Sequence, residues 1–178
     1  MDEKTPGNRQ NYVLVSFETK TGEQLMDPLK IFRAVGNEYR VATPVLKGYL
    51  WIDSSADLTG VMTTDTKTIH LIYQRIGTLR LYHGLTDIIG EGIELKNGKL
   101  ANEVAPVVLP ELSNQSYYTM TATGLSSQVM NPTAFVPDDP TKRLSLVSLT
   151  ADEKRQLDDV AAELIADGDE IEQTSKKN

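Results

Sequence analysis

The chain has 178 residues, a formal net charge of −7, 39% hydrophobic and 24% charged residues, and no cysteine. That length and composition predict a soluble globular protein of one ordinary domain or two small ones, and exclude disulfides and thiolate metal sites. The acidic balance, with lysines and arginines scattered and none clustered with aromatics, argues against nucleic acid as a partner. No apolar run approaches the roughly 20 residues that cross a bilayer, which argues against membrane insertion.

The first segment, Met1–Asn8, is polar and has no apolar core of the signal-peptide kind. Val13, Val15 and Phe17 then alternate with Leu14, Ser16 and Glu18, the period of a strand with one face toward a core. Lys20-Thr21-Gly22 supplies a turn in which glycine tolerates the positive φ of a tight hairpin. Over Asp27–Gly36, Pro28 near the start, Gly36 at the end and Leu29, Phe32 and Val35 at helical spacing predict a short helix. Pro44, Gly48 and Gly60 punctuate short extended runs. Ile69, Leu71 and Tyr73 alternate with His70, Ile72 and Gln74 as a further strand, with His70 on its solvated face.

These residues also carry a resemblance. Val13–Gly22, Val35-Gly36-Asn37-Glu38-Tyr39, Val45-Leu46-Lys47-Gly48-Tyr49, Leu58-Thr59-Gly60-Val61-Met62 and Thr68–Tyr73 fall in one order over residues 11 to 74. That ordered set resembles the mucin-binding-protein (MucBP) repeat of Gram-positive bacterial surface adhesins. The resemblance implies a β-grasp-like domain over 11–75 that is non-enzymatic and binds mucin or another host glycoprotein or glycan. It also implies an extracellular location at the bacterial cell surface, and a monomeric module within a larger chain. The lack of an export signal and of a sorting signal at Thr174–Asn178 then predicts an excised piece of such a protein or a cytoplasmic outlier.

The second half follows without a Pro/Ser-rich linker and repeats the order of the first in degraded form. Leu79 and Leu81 alternate like Val13 and Val15, and Val107–Pro110 precedes Tyr117-Tyr118 much as Val41–Val45 precedes Tyr49. From opening strand to tyrosine the distance is 36 residues in the first half and 38 in the second. Residues 76–149 therefore read as a second small β-rich domain, a divergent repeat or an unrelated fold with tyrosines in its core. Leu144–Val147 is its closing strand. Thr150 and Glu153 then form a capping box. Leu157, Val160, Ala161, Leu164 and Ile165 make one apolar stripe, so that a C-terminal amphipathic helix spans 150–167 and stops at Gly168. Residues 1–10 and 168–178 are expected to be flexible ends. The fold class is mainly β (α+β).

Catalytic patterns are missing. No Gly-x-Ser-x-Gly elbow occurs, Gly90-Glu91-Gly92 lacks the third glycine of a phosphate loop, and Asp138-Asp139-Pro140 reads as a turn. His70 and His83 have no carboxylate or third ligand at metal spacing, so neither metal nor cofactor is expected. The residues proposed for ligand contact are aromatic. Tyr49 and Trp51 flank Leu50 on one strand face, with Tyr39 expected nearby, and exposed Tyr and Trp rings stack on sugars. Alternatively Tyr49 is core and Trp51 covers it, which would suit a structural spacer or stalk with no ligand of its own.

Overall fold

A computed structural model describes residues 9–84, 91–121 and 124–160. Its contacts divide into two compact units, one running to Ile76 and regaining Lys96–Ala105, the other holding Gly77–Leu95 and the chain from Pro106.

In the first unit, β1 (Gln10–Thr19) and β2 (Gln24–Ala34) form an antiparallel hairpin. Gly22 turns it at φ 88°, and its amide donates to the Thr19 carbonyl at 3.0 Å. Short β3 (Glu38–Arg40) and β5 (Thr59–Val61) make a separate two-stranded ribbon. β4 (Tyr49–Ser54) and β6 (Lys67–Arg75) complete a four-stranded sheet in the order β2-β1-β6-β4, with β1 and β6 parallel at its centre. Val13, Val15 and Phe17 of β1 and Ile69, Leu71 and Tyr73 of β6 are all buried on one face, as the alternation predicts. Tyr39, Val41 and Met62 close over them.

The short helix expected over Asp27–Gly36 does not form. That segment is β2, in which Leu29, Ile31 and Phe32 lie opposite Val15, Val13 and Tyr12. Helical spacing of three apolar residues was outweighed by the pairing that β1 offers along its whole length, since tertiary context overrides a weak local preference. Pro28 fits because β2 is an edge strand. The register slips between Val15–Leu29 and Phe17–Met26, so the proline falls in a bulge where no ladder donor is needed.

The second unit repeats the strand plan. β7 (Thr78–His83) pairs antiparallel with β8 (Glu91–Glu94) and parallel with the last strand, β11 (Leu144–Leu149). β9 (Ser116–Thr121) lies antiparallel on the other side of β11, and β10 (Gly124–Gln128) adds an outer strand, giving β10-β9-β11-β7-β8. In both units the first strand lies between its hairpin partner and a parallel last strand, and a middle strand flanks the last. Leu79, Leu81, Leu146 and Leu149 are buried in this unit, and the Tyr117 hydroxyl donates to the Pro110 carbonyl.

Helix α1 occupies 151–160. The Thr150 amide donates to Glu153 Oε1 at 3.0 Å while the Glu153 amide donates to Thr150 Oγ1 at 3.2 Å, a reciprocal capping box. Ala161, Leu164 and Ile165 of the predicted stripe lie outside the described residues, as do the ends 1–8 and 161–178. The protein is mainly β with a short C-terminal helix.

Candidate binding surface

Of the three aromatics singled out from sequence, Tyr39 is the deepest, 5% exposed in the core of the first unit. Its ring lies over Gly60, where a Cβ would come within 2.5 Å of the Tyr39 hydroxyl oxygen. Tyr49 and Trp51 are half-buried against the edge of that core. The Trp51 indole N–H donates to the Asp53 carbonyl at 2.8 Å, and its backbone amide donates to Ala101. The Arg75 guanidinium stands 5.8 Å from the centre of the Tyr49 ring. Both residues line an open groove of about 450 Å³ together with Thr19, Lys20, Glu23 and Gln74. Tyr49 and Trp51 thus lie close together at one end of the sheet, and Tyr39 lies in the interior.

The opposite face of the same sheet carries the more open aromatic pair. Tyr12 on β1 and Phe32 on β2 are paired across the hairpin with ring centres 5.5 Å apart, and Phe32 is 54% exposed. The Lys30 ammonium sits 4.7 Å from the centre of the Tyr12 ring, within cation–π range. Sequence reasoning missed this pair because Phe32 had been assigned to a helix. The usable signal was the position of Pro28 and Asp27, which suit a bulged edge strand as well as a helix start.

Further along the same face, His70 Nδ1 lies 2.8 Å from Ser16 Oγ and 3.1 Å from Glu18 Oε1. The Ser16 hydroxyl also donates to Glu18 Oε2 at 3.4 Å. The parallel register places Ser16 directly beside His70, and the imidazole is 44% exposed, so the expected solvated position is correct. These three residue types invite comparison with a hydrolytic triad, but the geometry differs. A triad needs the carboxylate on one ring nitrogen and the nucleophile on the other, whereas here both approach Nδ1. The cluster offers hydrogen-bonding groups rather than a proton relay.

His83 ends β7, with Nδ1 3.1 Å from the hydroxyl of buried Ser148. That contact accounts for it structurally. Among the described residues no group of three or more His, Cys, Asp or Glu could hold a metal ion. Nor, among them, is any helix long and apolar enough to cross a membrane.

Residues 12–74 match the model of the MucBP domain family. The match takes in β1 to β6 almost completely, and neither the 96–105 segment nor the second unit. No curated protein matches the chain. MucBP is a family of binding domains that occurs in Gram-positive surface proteins, and the match covers residues 12–74 of the 178.

Proposed function

We propose that this chain, with a MucBP domain at residues 12–74, is a non-enzymatic adhesion module of a Gram-positive bacterial surface protein that binds mucin or another host glycoprotein through its glycans. The single observation that carries this reading is the family match itself, which spans nearly all of the four-stranded sheet. The central parallel pair of first and last strands supports a β-grasp-like fold for that unit. The shared order of hairpin partner, first strand, parallel last strand and middle strand after Gly77 supports a divergent second copy within 76–149, with β10 added and residues 96–105 given to the first unit. Tandem copies raise avidity without new contacts. Such a module works at the cell wall as a monomeric part of a larger chain and needs no cofactor.

Tyr49 and Trp51, with Tyr39 behind them, are the contacts proposed from sequence, and the groove between Tyr49 and Arg75 supports Tyr49 as a ring available at the surface. The test is binding of the purified chain to immobilised mucin, beside mucin stripped of its glycans and a Trp51→Ala variant. Saturable binding that disappears on deglycosylation supports the reading, and weakening by Trp51→Ala locates a contact at this end of the sheet. Absence of binding to intact mucin rejects it.

A rigid spacer with no ligand is the second reading. It is favoured by Tyr39 being in the core and by the Trp51 indole N–H being tied to Asp53. The same experiment separates the two.

A further inference from the structure

We infer that the outer face of the first sheet, opposite its core, is an oligosaccharide-binding surface. On it a sugar ring stacks on the exposed ring of Phe32, which leans against Tyr12, while neighbouring sugars hydrogen-bond to the Ser16–Glu18–His70 cluster. This rests on the glycan-binding reading and assigns it a site that the sequence did not suggest.

The placement follows from the strand geometry. Tyr12, Leu14, Ser16 and Glu18 alternate onto this face of β1, Phe32 and Lys30 stand opposite Tyr12 and Leu14, and His70 lies beside Ser16. At roughly 3.3 Å per residue, Tyr12 and Ser16 are about 13 Å apart along the strand, the reach of a short oligosaccharide rather than of one sugar. An exposed aromatic face at one end and clustered hydroxyl, carboxylate and imidazole groups at the other are the two kinds of contact that sugars use. His70 Nδ1 is engaged by Ser16 and Glu18, so a ligand hydroxyl would bond to the other ring nitrogen, Nε2.

Charge narrows the ligand. At the aromatic end the Lys30 ammonium stands over the Tyr12 ring, away from the Glu18 carboxylate at the other end, so a carboxylate or sulfate on the sugar at that aromatic end complements it. A peptide strand adding to the free edge of β2 fits less well. That edge is broken by the bulge at Asp27-Pro28 and carries Lys30 and Arg33, features that oppose strand addition.

The experiment uses the full chain and oligosaccharides released from mucin, separated into acidic and neutral fractions, with titration calorimetry as readout. Phe32→Ala removes the exposed ring. Lys30→Gln removes the charge at the aromatic end, at a solvent position where loss of folding is not expected, and thermal unfolding of both variants checks this. The expected result is binding of the acidic fraction, weakened about tenfold or more by Phe32→Ala and also weakened by Lys30→Gln at unchanged Tm, a factor that corresponds to about 1.4 kcal/mol. Wild-type binding that both variants retain overturns this site and leaves the adhesin reading intact. Equal affinity for the neutral fraction, unaffected by Lys30→Gln, overturns the charge preference. Failure of the wild-type chain to bind either fraction or whole mucin overturns both readings together.

Discussion

The Gly48 amide donates to Asn97 Oδ1 at 2.8 Å across 49 residues of chain. The Asn97 side chain returns two bonds of its own, Nδ2 donating to the Leu46 carbonyl at 2.9 Å and to the Tyr49 carbonyl at 2.8 Å. One asparagine thereby holds both sides of the turn that leads into β4. Gly48 needs its positive φ of 85° to make that turn, and its carbonyl accepts from Ile76 at the end of the first unit. The segment that delivers Asn97 closes on itself through Ala105 to Lys96 and Gly98 to Glu103, and its Ala101 carbonyl accepts from Trp51. The matched MucBP segment is therefore completed by ten residues that lie outside it.

Asn97→Ala removes three hydrogen bonds at a part-buried turn and leaves one amide and two carbonyls without that partner. The expected cost is about 2–3 kcal/mol. Hydrogen exchange should show it as lost protection in β4 and in the neighbouring part of β6. A fragment covering only residues 9–77 should be destabilised at least as much, because it also loses the bond from Trp51 to Ala101. A fragment as stable as the first unit in the full chain would contradict this role for residues 96–105.

Gly60→Ala probes the core from the other side. A Cβ there would lie 2.5 Å from the Tyr39 hydroxyl oxygen and 2.7 Å from Cζ, closer than atoms pack, and Tyr39 is buried with little room to move. Overpacking of this kind costs about 1–3 kcal/mol. In a Tyr39→Leu background the same substitution should cost much less, so chemical denaturation of the four proteins in a double-mutant cycle should return a clear coupling energy. Additive losses would show that Tyr39 does not rest on Gly60 in solution.

The core strands were readable because their period of two coincides with burial. Val13, Val15, Phe17, Ile69, Leu71 and Tyr73 all face inward, and no competing pattern exists at those positions. The capping box at Thr150 was equally local, involving residues three apart. What escaped depended on distance. Whether Asp27–Gly36 is helix or strand is decided by β1, not by its own residues, and with β2 went the Tyr12–Phe32 pair. Nothing in the sequence beside Asn97 marks its role, because its partners lie 48 to 51 positions away. Tyr39 was chosen as an aromatic near the family landmarks, and composition alone does not say which ring faces the interior.

Tyr73 links packing to pH. Burial pushes its phenol up to about 12 from an ordinary value of 10.0, and the hydroxyl donates to the Pro44 carbonyl at 2.8 Å. A folded-state pKa raised above the unfolded one gives stability that is fully present below pH 10 and lost as pH rises through 12. Ionisation would also take away the proton that Pro44 accepts. Tyr73→Phe should cost about 1 kcal/mol near neutral pH, the net worth of one hydrogen bond. It should also flatten the alkaline fall in stability between about pH 10 and 12. Unfolding curves for both proteins across that range check this, and equal alkaline slopes would remove Tyr73 as the cause.

The second unit has its own close approach at Gly77. A Cβ there would stand 2.1 Å from the Lys142 carbonyl oxygen and 2.6 Å from its carbon, which are backbone atoms and cannot swing aside like a side chain. The Gly77 amide also donates to the Pro140 carbonyl at 2.7 Å, so the start of β7 is bonded to the turn that precedes β11. That turn is held locally by Asp139, whose Oδ1 accepts from both the hydroxyl and the amide of Thr141. These bonds, with the nearby Lys142 ammonium, keep its carboxyl below the ordinary carboxylate range. Because that folded-state pKa is depressed, its small stabilising effect is present above the unfolded value and is lost as pH falls through the folded one. Gly77→Ala forces the two strand entrances apart and should destabilise the second unit by about 3 kcal/mol. Asp139→Asn, on an exposed side chain, should loosen only the turn. Amide exchange read strand by strand tests the difference: Gly77→Ala should expose β7 and β11 together, while Asp139→Asn should leave both protected. Protection of β7 and β11 that survives Gly77→Ala would mean the chain passes Lys142 at a greater distance than this packing requires.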